Sequence, residues 1–563
     1  MAMGFFRINR NYKNFARLVK ILSVLGKYGF SAFLKRISDG LGAIPKGVVS
    51  IRQERTIIGM TEPERLRLAI EELGPAFIKL GQILSLRPDI IPPRYARELE
   101  KLQDRTSPVP FIAVRKTIEE EFGTSISDIF SSIEEQPVAS GSIAQVHRAV
   151  LRDMQEEIAV KILKPRTRQI VETDLNIIRL LVRLASGRIP EFQAYNLTQI
   201  FGEFSEILLA QLNFLREAKT IERFSHFFRG DDYVHIPRVY MDYTTESCIV
   251  MEFIDGVKIS DVERLEREGM DKKEIAKNGA MLALREILDF GFYHADPHPG
   301  NLFVLPGNVI VPVDFGITGY IDEEGVLIVG NILLGLIERD VERILRYFKR
   351  YDFVTEDVDE KKLKIDLYDL IDTTKDAPLS RISITSSIRA IFTITRKYHI
   401  RFPGEYFLIF NTLLESDGVG RMVDPDFNIT EFAKPWVRRW AQRQYSPKRY
   451  MKDLFFLIED LGYFIKLLPS EINVMLRRLR SGKIRLPLYH ENLEKAVSKI
   501  DRTGNRLSFA VIIAALLLSS TILVQAKVGP FIRGYPVLGL AGFFTAFVMG
   551  LWLLLGIIRS GKL

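Results

Sequence analysis

The chain has 563 residues, 78 basic against 70 acidic, a net charge of +8, and a single cysteine, Cys248. That length exceeds one ordinary domain and allows a large core. One cysteine excludes an intrachain disulfide framework and a cysteine-based metal site, and the small basic excess suits an anionic lipid surface better than a nucleic acid.

Residues 1–60 read as a basic helical extension. Met1 to Arg10 include basic residues, but no long apolar run follows at once, so no secretory signal is expected. Phe15, Leu18, Val19, Leu22, Leu25, Tyr28 and Phe33 recur at helical spacing, with Arg17, Lys20, Lys27, Lys35 and Arg36 among them. Such a stripe fits a helix on a membrane surface as well as a helix packed on a folded body. A joint rich in Gly and Pro follows at Gly40 to Pro45. Residues 61–125 read as a helical extension. Thr61-Glu-Pro-Glu64 is a helix start with Pro just inside it. Leu73, Ala76, Phe77, Leu80, Ile83 and Leu84 mark one face, while Lys79 and Gln82, three apart, share another. Gly81 between them costs a helix about 1 kcal/mol against Ala, and it allows close backbone approach. On spacing alone Lys79 and Gln82 read as a solvated pair.

Residues 126–255 read as a smaller lobe. Val138-Ala-Ser-Gly-Ser-Ile-Ala-Gln-Val146 is a small-residue loop. Ile143 to Leu151 and Glu157 to Leu163 have strand character, and Leu175 to Phe228 is mostly helical. Cys248 to Phe253 is an apolar strand ending near Gly256. It is the natural hinge between lobes, where backbone near Glu252 meets an adenine. Residues 256–490 read as a mainly helical second lobe, in which His294-Ala-Asp-Pro-His-Pro-Gly-Asn301 and Val313-Asp-Phe-Gly316 are embedded. Arg438, Arg439, Arg443, Lys448 and Arg449 read as a solvated face. Residues 491–506 form a charged helical connector. Within 507–558, Leu507 to Ala526 and Pro536 to Ile558 are uncharged runs of 20 and 23 residues. Each reaches across a hydrocarbon core of about 30 Å at about 1.5 Å per residue. The short link between them predicts a transmembrane hairpin, and Gly539, Gly542, Ala546 and Gly550 near one face admit a close helix neighbour.

The embedded tracts have the order of a phosphoryl-transfer site: loop, V-K strand, H-x-D-x-x-x-x-N, D-F-G. A strand lysine neutralises the α- and β-phosphates of ATP, and Lys161 alternates with Val160 and Ile158 on a strand. Asp296 is placed to orient a nucleophile or take its proton. Asn301, five residues on, and Asp314 are hard oxygen ligands for Mg²⁺. Catalysis is therefore assigned to Asp296 and Lys161. Nucleotide binding is assigned to Val138, Ala139, Ser140, Gly141, Ser142, Ile143, Ala144, Gln145, Val146, Lys161 and Glu252. Metal binding is assigned to Asn301 and Asp314. His294 and His298 are assigned to holding the catalytic loop, since no third metal ligand is placed by motif. His147 and His226 are taken as structural or exposed.

From Thr61 to Gly319 the chain resembles the UbiB family of atypical kinase-like proteins, linked to ubiquinone and other prenylquinone synthesis. Three tracts carry the resemblance: Lys79-Leu-Gly81-Gln82, matching a K-x-G-Q signature, the Ala-rich loop Ala139 to His147, and His294 to Asn301. The resemblance implies an α+β, two-lobed protein-kinase-like fold with a helical N-terminal extension and a C-terminal membrane hairpin. It singles out Glu217 as the partner of Lys161, which spacing alone does not choose over Glu203 or Glu206. One departure stands out. The family carries an acidic E-x-D pair on the αC-like helix, before R-E-A; here the stretch reads Gln211-Leu-Asn213-Phe-Leu-Arg-Glu217-Ala218. Amides keep the shape but lose the charge.

The resulting expectation is a membrane-anchored atypical kinase-like ATPase with ATP and Mg²⁺ as cofactors. Its site lies in the cytoplasm, at an inner or cytoplasmic membrane crossed more than once. The expected partners are anionic membrane lipids and a prenylquinone precursor or the enzymes of quinone synthesis, with no nucleic acid; a homodimer is compatible. The alternatives are a phosphotransferase acting on a protein or small molecule, and a nucleotide-gated scaffold without turnover.

Overall fold

A computed structural model describes residues 2–32, 59–85, 87, 90–102, 107–187, 197–355, 358–372, 384–398, 400, 402–444, 493–526, 529–532 and 535–559. Phe33, Lys35, Arg36, the joint at Gly40 to Pro45, Lys448, Arg449, Lys527 and Arg533 lie outside the described residues. The chain divides into two compact units, Met1–Tyr450 and Met451–Leu563. The first unit has a mixed helix and strand, kinase-like fold.

Helix α1 (Ala2–Lys27) packs on the body of the first unit rather than standing free. Ile21, Leu22 and Val24 are buried. Arg17 Nε reaches the fully buried Asp174 at 2.6 Å, and its Nη2 donates to the Leu73 carbonyl. Lys27 is taken up by Glu72 at 2.9 Å. Between the two readings of the basic amphipathic stripe, burial and these ion pairs decide for the packed helix.

Helix α2 (Glu62–Leu73) starts as its sequence dictates. The Thr61 N–H and hydroxyl both donate to Glu64, at 2.7 and 2.9 Å. Gly74, with φ +98°, ends it, and α3 (Pro75–Ser85) begins at once. α4 (Pro93–Leu99) completes a helical layer with them, and α5 (Phe111–Phe122) leads into the strands.

The smaller lobe is an antiparallel sheet in the order β1 (Phe130–Ile133), β3 (Ala144–Leu151), β4 (Glu157–Leu163), β5 (Cys248–Glu252), with β2 (Ala139–Ser140) hairpinned onto β3. Register pairs Val146 with Lys161 and Lys161 with Ile249. Strand alternation then sorts the side chains. Ile158, Val160, Ile162 and Val250 pack against Val114 and Ile118 of α5, whereas Ala159, Leu163, Ile249 and Met251 join the inner core. Lys161 falls on the inner face with that second set. Burying one such aliphatic side chain is worth about 1.5–3 kcal/mol, so a one-residue slip is strongly disfavoured.

Three helices follow on the inner side: α6 (Thr167–Ser186), α7 (Leu197–Ala210) and α8 (Phe214–Phe227). They share one apolar core with α1–α4 and with Phe315. The larger lobe is built from α9 (Lys272–Leu288), α10 (Glu323–Glu338), α11 (Val341–Arg350), α12 (Glu360–Asp372), α13 (Ile384–Lys397), α14 (Gly404–Val423) and α15 (Ile429–Gln444). Short strands β6 (Val257–Lys258), β7 (Phe292–His294), β8 (Leu302–Leu305), β9 (Val309–Pro312) and β10 (Thr318–Tyr320) carry the chemical loops. β6, β8 and β9 form one sheet, and β7 pairs with β10. Arg438 is not simply solvated; it pairs with Glu338 at 2.8 Å.

In the second unit, α16 (Leu493–Ala526) runs 34 residues without a break, so the charged connector and the first apolar run are one helix. α17 (Val537–Arg559) returns beside it. Gly539 and Gly542 sit where an added Cβ would lie 2.5 Å from Val524 and 2.1 Å from the Ser520 hydroxyl, so small residues set this close approach. Gly550 has open space instead. The apolar windows Leu507–Ala526 and Val537–Leu554 are only 6% and 11% buried, which separates them from core helices of a soluble fold. Both are long and apolar enough to cross a membrane.

Candidate functional site: a lysine and carboxylate centre between the lobes

β4 delivers Lys161, α8 delivers Glu217, and the turn after β9 delivers Asp314. Lys161 Nζ donates to Glu217 Oε1 at 2.7 Å and to Asp314 Oδ1 at 3.1 Å, and lies over the Phe214 ring at 5.3 Å. Burial alone would lower the Lys161 pKa, but the Asp314 and Glu217 carboxylates together hold it above its ordinary value. Burial would raise Asp314, yet Lys161 and then Lys79 hold it well below the usual carboxylate range. Glu217 is shifted upward by burial, against the pull of Lys161. Its Oε1 also accepts from the Phe315 N–H at 3.4 Å, tying α8 to the D-F-G turn. The structure therefore pairs Lys161 with Glu217. Glu203 faces Arg87 at 3.6 Å, and Glu206 is exposed.

The catalytic loop is fixed by its own backbone. Ala295 N–H donates to the Ile317 carbonyl at 3.0 Å, Asn301 N–H to the His298 carbonyl at 2.8 Å, and Val313 N–H to the Asn301 carbonyl at 3.0 Å. His294 Nδ1 accepts from the Asp296 N–H at 3.1 Å, so its proton is on Nε2, which donates to the Asp314 carbonyl. Both ring nitrogens are committed, and burial lowers the pKa, leaving a neutral ring that braces Asp296 against Asp314. His298 Nδ1 accepts from the Gly300 N–H at 3.1 Å. These contacts match the loop-holding role read for both histidines.

The half-buried Asp296 carboxyl is raised by desolvation and, less, by Asp314; His294, Lys79 and His298 pull the other way. Lys79 is thus no solvated surface lysine. It is 8% exposed, and its charge acts on Asp296 and Asp314. Gln82 Nε2 donates to the Leu102 carbonyl at 3.1 Å. A Cβ on Gly81 would meet Leu102 Cδ1 at 2.4 Å, so what approaches closely there is a side chain rather than backbone.

The small-residue loop is a hairpin: Ala139 pairs with Val146, Ser140 with Gln145, and Gly141 N–H closes onto the Ala144 carbonyl at 2.8 Å. Alternation puts Ala139, Ala144 and Val146 on the Lys161 face and Gln145 on the other. Gln145 accepts from the Val109 N–H at 3.0 Å and meets His147 Nε2 at 2.9 Å, so its side chain braces the α5 entry on the face opposite Lys161. Val138 is exposed, Ser142 and Ile143 are buried, and Ser140 Oγ is buried with no hydrogen-bond partner among the described residues. Glu252 ends β5. Its carboxylate takes His235 Nε2 at 2.9 Å and the Arg238 N–H at 3.0 Å, and its own N–H goes to the Arg238 carbonyl.

Gln211 and Asn213 lie in the turn before α8, not on that helix as expected. Asn213 is its N-cap, accepting from the Arg216 N–H at 3.2 Å. The Gln211 side chain lies beside Gly316, 3.8 Å from where a Cβ would stand, and its Oε1 is buried without a partner among the described residues.

Two acids were missed. Glu286 on α9 accepts the His294 N–H at 3.0 Å, and burial pushes its carboxyl up to about 8. Glu415 on α14 is pushed up to about 8 by burial and then by the Asp296 and Glu100 carboxylates. The available signal was a carboxylate inside an apolar helical run: Leu284-Arg-Glu286-Ile-Leu288 and Leu413-Leu-Glu415.

A family model described as the ABC1 atypical kinase-like domain matches residues 101–348, one described as the UbiB helical domain matches 367–428, and one described as the ABC1/UbiB kinase-like C-terminal domain matches 491–559. A protein named "Probable protein kinase UbiB" from Aliivibrio fischeri is 30% identical over 91% of this chain and 95% of its own length. Its namesake from Aeromonas hydrophila is 29% identical over 92% of this chain and 94% of its own length. A Clostridium pasteurianum protein, "Uncharacterized protein in hydrogenase 1 5'region", is 30% identical over 97% of this chain and 99% of its own. Among solved structures, the Rv3197–erythromycin complex from Mycobacterium tuberculosis is 21% identical, with a TM-score of 0.46 over 65% of this chain and 93% of that one.

Proposed function

Because the chain belongs to the ABC1/UbiB family of atypical kinase-like proteins, we propose that it is a Mg²⁺-dependent ATPase of a membrane, acting in support of prenylquinone synthesis. The observation that carries the ATP reading is the three-way contact of Lys161 with Glu217 and Asp314 beside the braced loop bearing Asp296. The residues present fit Mg²⁺–ATP. Asp314 is ionised and its side chain is 41% exposed, so it can still take a cation, and the Asn301 side chain has no hydrogen-bond partner among the described residues.

Asn301 and Asp314 would hold Mg²⁺, which would supply positive charge against the phosphates of ATP. Lys161, kept protonated by its two carboxylates, supplies positive charge to the α- and β-phosphates. Asp296 orients the attacking water or hydroxyl and accepts its proton. Lys79 adds a cation against both acids, which favours their ionised forms.

The quinone link rests on the family resemblance, and the membrane reading on the two exposed apolar helices. ATP use would be coupled to handling of an apolar lipid intermediate, or of the enzymes that modify it, with the site on the cytoplasmic side. The relatives' name favours a second reading, phosphate transfer to a protein or small molecule. Purified full-length chain given Mg²⁺ and ATP separates the two when phosphate release and phosphate transfer are followed together. Release without transfer supports the ATPase, stoichiometric transfer the second reading, and neither rejects both.

A further inference from the structure

Strand β10, just after the D-F-G turn, has an edge to spare. Among the described residues it pairs with β7 alone, with Thr318 opposite His294 and Gly319 opposite Tyr293. The Ala295 N–H donates to the Ile317 carbonyl at 3.0 Å, and the Ile321 N–H to the Gly291 carbonyl at 2.8 Å. Ile317, Gly319 and Ile321 therefore turn their backbone groups toward β7. Antiparallel alternation turns the N–H and C=O of Thr318 and Tyr320 outward. Those four groups have no hydrogen-bond partner among the described residues. A row of open backbone groups is a template for another strand.

Gly316 to Gly319 form one wall of a cavity of about 300 Å³. Other walls come from α7 through Glu203 and Glu206, from the first turn of α14 through Glu405, and from α8 through Arg216 and Glu217. A Cβ on Gly319 would collide with the Tyr293 ring, so glycine admits that ring, whose hydroxyl donates to the Glu405 carbonyl at 2.9 Å. This contact ties α14 to the sheet.

The charges lining the cavity are uneven. Arg87 is buried, pairs with Glu203 at 3.6 Å and lies over Phe407 at 5.3 Å. Glu217 is spent on Lys161. Glu206 and Glu405 are exposed and have no ion pair among the described residues, against the single exposed Arg216. The chain leaving β10 stays acidic at Asp322-Glu-Glu324. This acidic mouth stands on a chain of net charge +8, so a basic ligand is drawn to it and repelled by much of the remaining surface. The Tyr320 ring, 59% exposed, adds an apolar face beside the edge.

We propose that the outer edge of β10 docks an extended basic segment of a partner protein. The segment adds a strand to the β7–β10 sheet through the backbone groups of Thr318 and Tyr320, and its Lys or Arg side chains reach Glu206 and Glu405. The open backbone groups select a peptide over a simple organic cation, and the two acids select a basic peptide over an acidic one. The docked segment rests beside the helix and turn that hold Lys161 and Asp314. The inference stands apart from the ATP reading, because docking is read by binding alone.

The test uses the full-length chain in a neutral detergent, without nucleotide, and a short fluorescent peptide of alternating Lys and Val. It is compared with a Glu and Val peptide, and with the Lys peptide N-methylated at alternate backbone nitrogens. The Lys peptide is expected to bind at least about tenfold more tightly than either. The double variant Glu206→Lys with Glu405→Lys should reverse the order of the Lys and Glu peptides, a gain of binding that a misfolded variant would not show. Amide exchange at Thr318 and Tyr320 should slow when the Lys peptide binds. An N-methylated peptide that binds as tightly as its parent overturns strand addition. An unchanged order in the double variant overturns the role of the two acids. No binding of the Lys peptide overturns the proposal as a whole.

Discussion

Lys161 and Glu217, 56 residues apart, meet at 2.7 Å with side chains only 12% and 4% exposed. So buried a pair holds β4 against α8, and Asp314 joins it from the other lobe. Removing one member of a buried pair leaves an uncompensated charge, which costs about 3–5 kcal/mol. Asp314 still pairs with Lys161 in Glu217→Ala, so that variant should lower the unfolding free energy by less than about that amount and cut ATP turnover at least tenfold, about 1.4 kcal/mol of barrier. Chemical denaturation and phosphate release check the two parts; a variant as stable as wild type would show that Lys161 relies on Asp314 alone.

Asp314 and Asn301 are the proposed Mg²⁺ ligands. Asp314→Asn keeps the shape, loses the charge, and should weaken Mg²⁺-dependent ATP binding by about tenfold or more. Nucleotide titrations with and without Mg²⁺ measure it. Equal Mg²⁺–ATP affinity in variant and wild type removes the assignment.

Gln211 and Asn213, the amides in place of the family's acids, separate in the structure. Asn213 caps α8, a task Asp performs equally well, so Asn213→Asp should shift stability by only a few tenths of a kcal/mol. Gln211 lies beside Gly316, so Gln211→Glu introduces a carboxylate near Asp314 and should change nucleotide affinity or turnover. Paired measurements on the single variants decide. An effect of Asn213→Asp larger than that of Gln211→Glu contradicts this division.

Much of this was legible in the sequence because chemistry fixed it locally. The His294 to Asn301 spacing, the Asp314-Phe-Gly turn, the strand around Lys161 and the start of α2 at Thr61 all follow short-range rules. Burial against distant segments was not legible. Lys79 reads as solvated on its own helix, but the packing of α2–α4 with the inner core buries it. Gln145 sits in the middle of the small-residue tract, yet strand alternation turns it to the face opposite Lys161. Glu415 lies 119 positions from Asp296 in the chain, and only the packing of α14 on the loop brings their charges together.

Glu286 gives a pH dependence of stability with a definite sign. Its folded pKa, about 8, stands above the ordinary 4.5. Its stabilising contribution is full below about 4.5 and declines as pH rises, because the folded chain keeps a proton that the unfolded chain gives up. The loss is complete once pH passes about 8. Glu286→Gln, which keeps an acceptor for the His294 N–H, should flatten that decline. Thermal unfolding of the full chain at mildly acidic and mildly alkaline pH reads it. A decline as steep in the variant as in wild type assigns the effect to another group.

The central claim, that Asp296 and Lys161 turn over ATP at a membrane, is tested most directly by phosphate release from the purified full-length chain with Mg²⁺ and ATP. Wild type and Asp296→Asn are compared, with and without liposomes containing anionic lipid. The expected result is release by wild type that liposomes stimulate, with none from Asp296→Asn although that variant still binds the liposomes. Release at the same rate from wild type and Asp296→Asn would contradict it.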